Sequence, residues 1–201
     1  MSTVFVSGPT GCIGAATLAW LLDHGADRVI GFSRTSDWSR IDDSYRDRIS
    51  LVEGDITDAS QVRAAIESAK PDRIIHLAAF QTPDCQAMPF RGLDVNVTGT
   101  ANMLRAAAEL GSDLQRFVFA SSAAVYGPRS IYPGETVTEE QPYLPPNLYG
   151  YWKTAGEGMA QAFHMETGVP TVSLRLATTY GPGRDKGLTS APTSALKAAD
   201  V

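Results

Sequence analysis

Cysteine is scarce in this 201-residue chain, which carries only Cys12 and Cys85. Two thiols are too few for a disulfide framework and have no zinc-ligand spacing, so they read as buried or half-buried free thiols in a reducing compartment. Histidine is nearly as scarce, with three residues. His24 and His164 have no evident partners for metal or acid–base work, and no metal site is expected. Long apolar runs are missing as well, since nothing approaches the roughly 20 residues that span a bilayer. The start, Met1-Ser2-Thr3-Val4-Phe5-Val6, lacks the charged and then apolar build of a signal peptide. Positive charge is in deficit: 17 Lys and Arg stand against 22 Asp and Glu, a formal net charge of −5. That balance argues against nucleic acid and against an anionic membrane surface as partners. The Arg-containing stretch 28–48 is diluted by Asp27, Asp37, Asp42, Asp43 and Asp47. A membrane protein, a secreted miniprotein and a zinc protein are excluded, and a cytoplasmic location is expected.

Apolar runs of strand length alternate with segments of helical period along the chain. Val4–Val6, Arg28–Phe32, Ile49–Val52, Arg73–Leu77, Arg116–Ala120 and Val169–Leu176 read as strands. Ala15–Leu22, Ala59–Ala69, Leu93–Leu110 and Leu148–Thr167 read as helices, with a further short helix from about Pro192. Near-continuous apolar strands are buried on both faces, and strict alternation with helices predicts a doubly wound parallel α/β sheet of Rossmann type. The widest irregular stretch, 127–147, holds Pro128, Pro133, Pro142, Pro145 and Pro146. A connection of that length in a compact domain is usually functional.

Gly8-Pro9-Thr10-Gly11-Cys12-Ile13-Gly14 follows the first strand and opens the first helix. In that context Gly8 serves a tight turn, Gly11 a close approach to a pyrophosphate, and Gly14 the packing of helix on strand, with helix N–H groups facing the phosphates. The second strand ends in Ser33-Arg34 rather than in a carboxylate. An acidic residue there would hold the ribose of NAD, whereas Ser and Arg suit a 2′-phosphate, so NADP is favoured over NAD and NAD stays open. Tyr149 and Lys153 stand one helical turn apart on one face. A phenol with an unperturbed pKa near 10 becomes a usable general acid or base when an ammonium lowers it, the effect expected of Lys153. The strand ending at Ala120 leads into Ser121-Ser122-Ala123 at the sheet edge where such folds bind ligands.

These ordered motifs resemble the extended short-chain dehydrogenase/reductases, in particular the NAD(P)-dependent epimerase/dehydratase group, from about Thr3 to Pro182. The resemblance implies that Gly8, Thr10, Gly11, Cys12, Ile13 and Gly14 cradle the pyrophosphate and that Ser33 and Arg34 meet the adenosine ribose. It places Asp55 and Ile56 of Gly54-Asp55-Ile56-Thr57-Asp58 at the adenine. Leu77, Ala78 and Ala79 after His76, together with Asn96 and Ala120, would line the rest of the cofactor path. Ser122, Tyr149 and Lys153 would be catalytic. Tyr149 would exchange the substrate proton as hydride moves, Lys153 would hold the nicotinamide ribose, and Ser122 would polarise the substrate oxygen. Ser122, Ala123 and Thr178 would touch substrate.

The same resemblance marks departures. Dehydratases of the group follow the active-site hydroxyl with Asp-Glu, where this chain has Ala123-Ala124, which speaks against dehydration. Many nucleotide-sugar epimerases have Asn at the place of Thr178. The expected function is an NAD(P)-dependent epimerase or oxidoreductase acting on a sugar or nucleotide-sugar. The alternatives are a simple dehydrogenase of a non-nucleotide alcohol or ketone, and a non-catalytic dinucleotide sensor. Residues 1–176 are expected to form the dinucleotide-binding domain, and 177–201 the start of a substrate lobe that is largely missing. A homodimer is expected through the helices at Leu93–Leu110 and Leu148–Thr167, with Met103, Leu104, Ala107, Met159 and Phe163 as apolar contacts.

Overall fold

The computed structural model describes residues 2–181, 183–184 and 190–199. Met1, Pro182, residues 185–189, Asp200 and Val201 lie outside the described residues, so part of the expected substrate region at 177–201 and the Pro182 end of the motif region do too. The strands are β1 (Thr3–Ser7), β2 (Arg28–Ser33), β3 (Ile49–Glu53), β4 (Arg73–His76), β5 (Arg116–Ser122) and β6 (Thr171–Leu176). They form one parallel sheet in the order β3-β2-β1-β4-β5-β6. Strand order reverses between β1 and β4, the place where a doubly wound sheet opens a crevice at its carboxyl edge.

The pleat of β1 shows why both faces are covered. Val4 and Val6 pack against Ala15, Leu18 and Leu22 of α1 (Cys12–Asp23), while Phe5 faces the opposite layer. That layer is built from α2 (Ala59–Ala69), the helical stretch 89–108 and α6 (Leu148–Thr167). Successive side chains of a strand point to opposite sides, so a strand between two helical layers must be apolar throughout. Phe5, Phe117 and Phe119 are fully buried on this second face. Truncating one such ring to Ala costs about 3–5 kcal/mol.

Helix ends are set by local chemistry. The Asp58 side chain accepts from Ser60 and Gln61 at the start of α2, and Lys70 ends that helix in the left-handed region at φ 45°. Asn147 accepts from Gly150 N at 3.0 Å to start α6, and Gly168 at φ 74° ends it. Each such cap is worth about 1 kcal/mol.

Three expectations change. The helix read as continuous from Leu93 to Leu110 is α4 (Pro89–Leu93), a π-helical turn at Asp94–Thr98, and α5 (Gly99–Ala108), preceded by the short α3 (Thr82–Ala87). The wider turn carries Asn96, which is buried and bonds the backbone of Phe80 through both ends of its amide, at 2.7 and 3.0 Å. Secondly, Met103, Leu104, Ala107 and Phe163 belong to the internal core, with Met103 and Ala107 at 0% exposure and Met159 packed against them. Met103, Leu104, Ala107 and Phe163 therefore face the sheet. Thirdly, the proline-rich stretch 127–147 does not line the main cavity. It is stitched to itself, with the Tyr132 hydroxyl accepting from Gly127 N and donating to Pro142 O. The last described helix is α7 (Ala191–Ala199).

Candidate active site

A cavity of about 1040 Å³ opens at the carboxyl edge of the sheet over the β1/β4 switch point. Its floor is the turn between β1 and α1. Gly8 has φ +73°, and a Cβ there would lie 2.9 Å from Ala78 N; a Cβ on Gly14 would lie 2.1 Å from Gly8 O. Both positions exclude any side chain, and the bare backbone they leave is the cradle a pyrophosphate requires. Gly11 caps α1 with no side-chain hydrogen bond, and the first turn carries no acidic residue. The opening N–H groups and positive dipole end of α1 are therefore turned toward the cavity without a carboxylate competing for them.

Every residue assigned from the sequence lines this cavity except Asn96. Gly8, Thr10, Gly11, Cys12, Ile13 and Gly14 form one end, with Ser33, Arg34, Asp55 and Ile56 beside them. Leu77, Ala78, Ala79 and Ala120 run along the middle, and Ser122, Ala123, Tyr149, Lys153 and Thr178 form the far end. Asn96 is corrected to a support, because its whole amide is spent on Phe80 and on Cys85 Sγ at 3.4 Å. Asp55 already binds Thr57 and receives Arg91 Nη2 at 2.8 Å. Burial alone would raise its pKa, but these donors prevail and hold the carboxyl below its ordinary range. The Ser33 hydroxyl donates to Thr35 O at 2.6 Å.

At the chemical end, Lys153 is buried and its Nζ donates to Ala120 O at 2.6 Å, 5.6 Å from the Tyr149 ring centroid. Desolvation lowers the Lys153 pKa to about 8, so it remains mainly an ammonium at neutral pH. The Ser122 hydroxyl oxygen accepts from Ala124 N at 3.1 Å, leaving its proton to be donated. Tyr149 departs from expectation. Its pKa is raised, chiefly by burial, while hydrogen bonding with Ser122 and Gln81 and the charge of Arg184 act in the opposite direction. Desolvation prevails over these, and the phenol therefore stays protonated near neutrality.

Below the glycine turn lies a buried neutral relay. Ser7 Oγ accepts from Leu77 N and Ala78 N, both at 3.2 Å, so its proton goes to His76 Nδ1 at 2.6 Å. His76 Nε2–H then donates to Thr100 Oγ1 at 3.0 Å, and Thr100 donates to Asn96 O at 2.7 Å. Desolvation, helped by the Lys153 charge, lowers the His76 pKa to about 3, which keeps the imidazole neutral and its tautomer fixed. Beside the chemical end, Glu157 and Arg175 form an ion pair at 2.9 Å. Sequence reasoning missed Gln81, Arg184 and Glu157. Only Glu157 carried a signal, since 149, 153 and 157 continue one helical stripe. Tyr180 is exposed, and the Asp58 carboxylate is spent on its helix cap.

Among the described residues no group of three or more His, Cys, Asp or Glu could hold a metal ion, and no helix is long and apolar enough to cross a membrane. A profile of the NAD dependent epimerase/dehydratase family matches residues 4–199. The chain is 31% identical to UDP-glucose 4-epimerase of Lacticaseibacillus casei, covering 89% of this chain and 52% of that enzyme. It is 28% identical to dTDP-glucose 4,6-dehydratase of Haemophilus influenzae, covering 90% and 57%. The solved UDP-glucose 4-epimerase of Thermotoga maritima with UDP-glucose superposes with a TM-score of 0.85 at 23% identity, over 96% of this chain and 61% of that one, a likeness of fold. UDP-glucose 4-epimerase of Brucella ovis in complex with NAD gives a TM-score of 0.75 at 28% identity, over 90% and 52%. The chain thus spans little more than half the length of these two curated relatives. With the family match running through the glycine turn, both ends of the cavity and the Tyr149–Lys153 helix, this chain belongs to the NAD dependent epimerase/dehydratase family.

Proposed function

We propose that the chain carries the dinucleotide-binding and catalytic part of an NAD(P)-dependent oxidoreductase of epimerase type that acts on a sugar nucleotide. The convergence of Ser122, Tyr149 and Lys153 at one end of a cavity whose other end is the glycine cradle carries this reading. The cradle fits a dinucleotide. Gly8, Gly11 and Gly14 with the α1 N-terminus would hold the pyrophosphate, Lys153 the nicotinamide ribose, and Arg34 with Ser33 the adenosine ribose. When bound, the nicotinamide supplies or accepts hydride. Tyr149, protonated near neutrality, donates its proton to a carbonyl oxygen being reduced, and its conjugate base takes a proton from a hydroxyl being oxidised. Ser122 donates to the same oxygen and holds it in place. Lys153 keeps a positive charge beneath the phenolate that forms.

The reaction class is narrowed by what flanks Ser122. Ala123 and Ala124 line the cavity and carry no exchangeable proton, which supports epimerisation or dehydrogenation over the dehydration named for the Haemophilus relative. The relatives named as UDP-glucose and UDP-glucuronate 4-epimerases support a nucleoside-diphosphate sugar as substrate. For the cofactor, Arg34 at the cavity supports NADP, whereas the Brucella neighbour was solved with NAD. The finer parts of the reading are a division near residue 176 between cofactor and substrate regions, a cytoplasmic setting, and a homodimer. The exposed Phe90 on α4 and Tyr151 on α6, two helices that pack together, support the homodimer.

Titration with NAD, NADH, NADP and NADPH, followed by turnover of UDP-glucose, tests the reading. Tight dinucleotide binding by wild type and Tyr149→Phe alike, with turnover lost only in the variant, is expected. No binding below about millimolar, a level worth roughly 4 kcal/mol, defeats it.

A further inference from the structure

Three successive residues at the end of β5 are each met by a different turn of α6. Lys153 donates to Ala120 O at 2.6 Å, Glu157 accepts from Ser121 Oγ, and Tyr149 lines the cavity together with Ser122. Tyr149, Lys153 and Glu157 are spaced i, i+4, i+8 and so form one stripe along the helix. Two belong to the proposed chemistry, and Glu157 does not touch the cavity. Its carboxylate is nonetheless bonded by three different side chains. Besides Ser121, it receives Arg175 Nε at 3.0 Å and Nη2 at 2.9 Å, and the Tyr143 hydroxyl at 2.9 Å. Arg175 pairs with Ser121 across the β5–β6 ladder and also donates to Tyr126 Oη and to Glu139 O at 3.1 Å. Glu157 is 8% exposed.

We propose that Glu157 is a positioning residue, which with Arg175 locks α6 onto the ends of β5 and β6 and thereby sets the Tyr149 phenol against the Ser122 hydroxyl. The backbone shows that this seat has no slack. A Cβ on Gly150 would lie 2.2 Å from Ala124 O, and one on Gly156 would lie 2.3 Å from the Phe119 ring. With the helix this close, a small slide or rotation of α6 moves Tyr149 and Lys153 together. Glu157 and Arg175 are the charged groups that oppose it from two different elements. Four donors on two carboxylate oxygens leave that side chain a single arrangement, which a buried ion pair requires if it is to specify geometry.

The inference rests on the proposed oxidoreductase reading for its kinetic arm alone. In Glu157→Gln, kcat for UDP-glucose is expected to fall about 100-fold, the scale of a misplacement near 1 Å. KM and the NADH dissociation constant should stay within about threefold of wild type. The double variant Glu157→Met/Arg175→Met removes both charges and should fold with a midpoint near wild type, yet keep the kcat loss. An arm independent of activity follows the ring-carbon resonance of 13C-labelled Tyr149, assigned with Tyr149→Phe. Glu157→Gln, or the double variant if the single one does not fold, should move that resonance toward its position in Ser122→Ala. A stable variant with an unmoved Tyr149 resonance overturns the proposal, as does a double variant with wild-type kcat. If wild type turns over no sugar nucleotide, the oxidoreductase reading fails and the resonance alone decides the role of Glu157.

Discussion

Two polar networks, one buried and one partly exposed, flank the two ends of the same cavity, and they are built on opposite electrostatic principles. Beneath the glycine turn, Ser7, His76, Thr100 and Asn96 form a relay with no formal charge. Beneath the chemical end, Ser121, Glu157, Arg175 and Tyr143 are organised around an ion pair. The neutral relay sits in the middle of the sheet, with His76 1% exposed between β1 and α5. A full charge there would face desolvation on every side. The ionic network sits beside the edge strand β6, where the Arg175 side chain retains 18% exposure and solvent can share its charge. Depth in the sheet thus decides which kind of polar lock is affordable: neutral beneath the glycine turn, ionic where α6 docks on the sheet edge.

The largest effect should come from splitting the ion pair. Arg175→Met leaves Glu157 buried without its cation and should cost about 3–5 kcal/mol of folding stability by chemical denaturation. A loss below about 1 kcal/mol would show that the edge position is already wet. The second test separates the networks by pH. His76 has a folded pKa of about 3 against 6.5 unfolded, so the unfolded chain binds the extra proton between those values. Stability should fall as pH drops through that window, by up to about 4 kcal/mol. Burial raises the Glu157 pKa, but bonds from Arg175, Ser121 and Tyr143 leave it below its reference of 4.5. Its contribution is therefore intact above 4.5 and lost only at more acidic pH. Between pH 6.5 and 4.5 the acid loss should belong to His76, and a His76→Gln variant measured by denaturation should flatten it. An unchanged slope would refute the buried neutral relay.

A smaller effect is expected at Lys153. Its folded pKa of about 8 lies below the reference of 10.5, so stability should rise with pH between 8 and 10.5 and carry a constant cost below 8. Lys153→Met should remove that rise and gain about 2 kcal/mol at neutral pH after the lost bond to Ala120 O, while abolishing turnover. A lower melting temperature in the variant would contradict this. The smallest effect is at Arg34, whose replacement by Ala should change stability by less than about 0.5 kcal/mol. It should weaken NADP about tenfold with NAD unchanged, and equal weakening of both would remove the case for a 2′-phosphate site.

What the sequence made legible was local. The strand-turn-helix setting of Gly8–Gly14 and the one-turn spacing of Tyr149 and Lys153 are short-range patterns, and the cavity lining follows them. Contacts that join distant elements were not legible. Helical periodicity shows that Met103 and Phe163 are apolar without saying whether the sheet or a second subunit meets them. The stripe from Tyr149 through Lys153 extends by arithmetic to Glu157, but nothing local pairs it with Arg175 on another strand. The Tyr149 pKa was misjudged in sign because spacing reveals the neighbouring ammonium and not the desolvation. Asn96 is expected on the cofactor path, yet the structure spends its amide on Phe80 and Cys85 through a π turn that a 3.6-residue pattern cannot express.

That π turn has a consequence for how the chain can change. Between Asp94 and Thr98 the backbone accommodates one more residue than an α-helix would. Deleting a single residue there would repair the local winding and relieve a less favourable hydrogen-bond ladder. The same deletion would leave α5 close to its present phase, because the wide turn already absorbs the extra residue. Thr100, Asn102 and Met103 would keep their places in the interior, and the loss would fall on the bulged backbone that aims Asn96 at both backbone groups of Phe80. The segment therefore confines the effect of one extra residue to a single buried contact, and a change that improved the local winding would remove that contact alone.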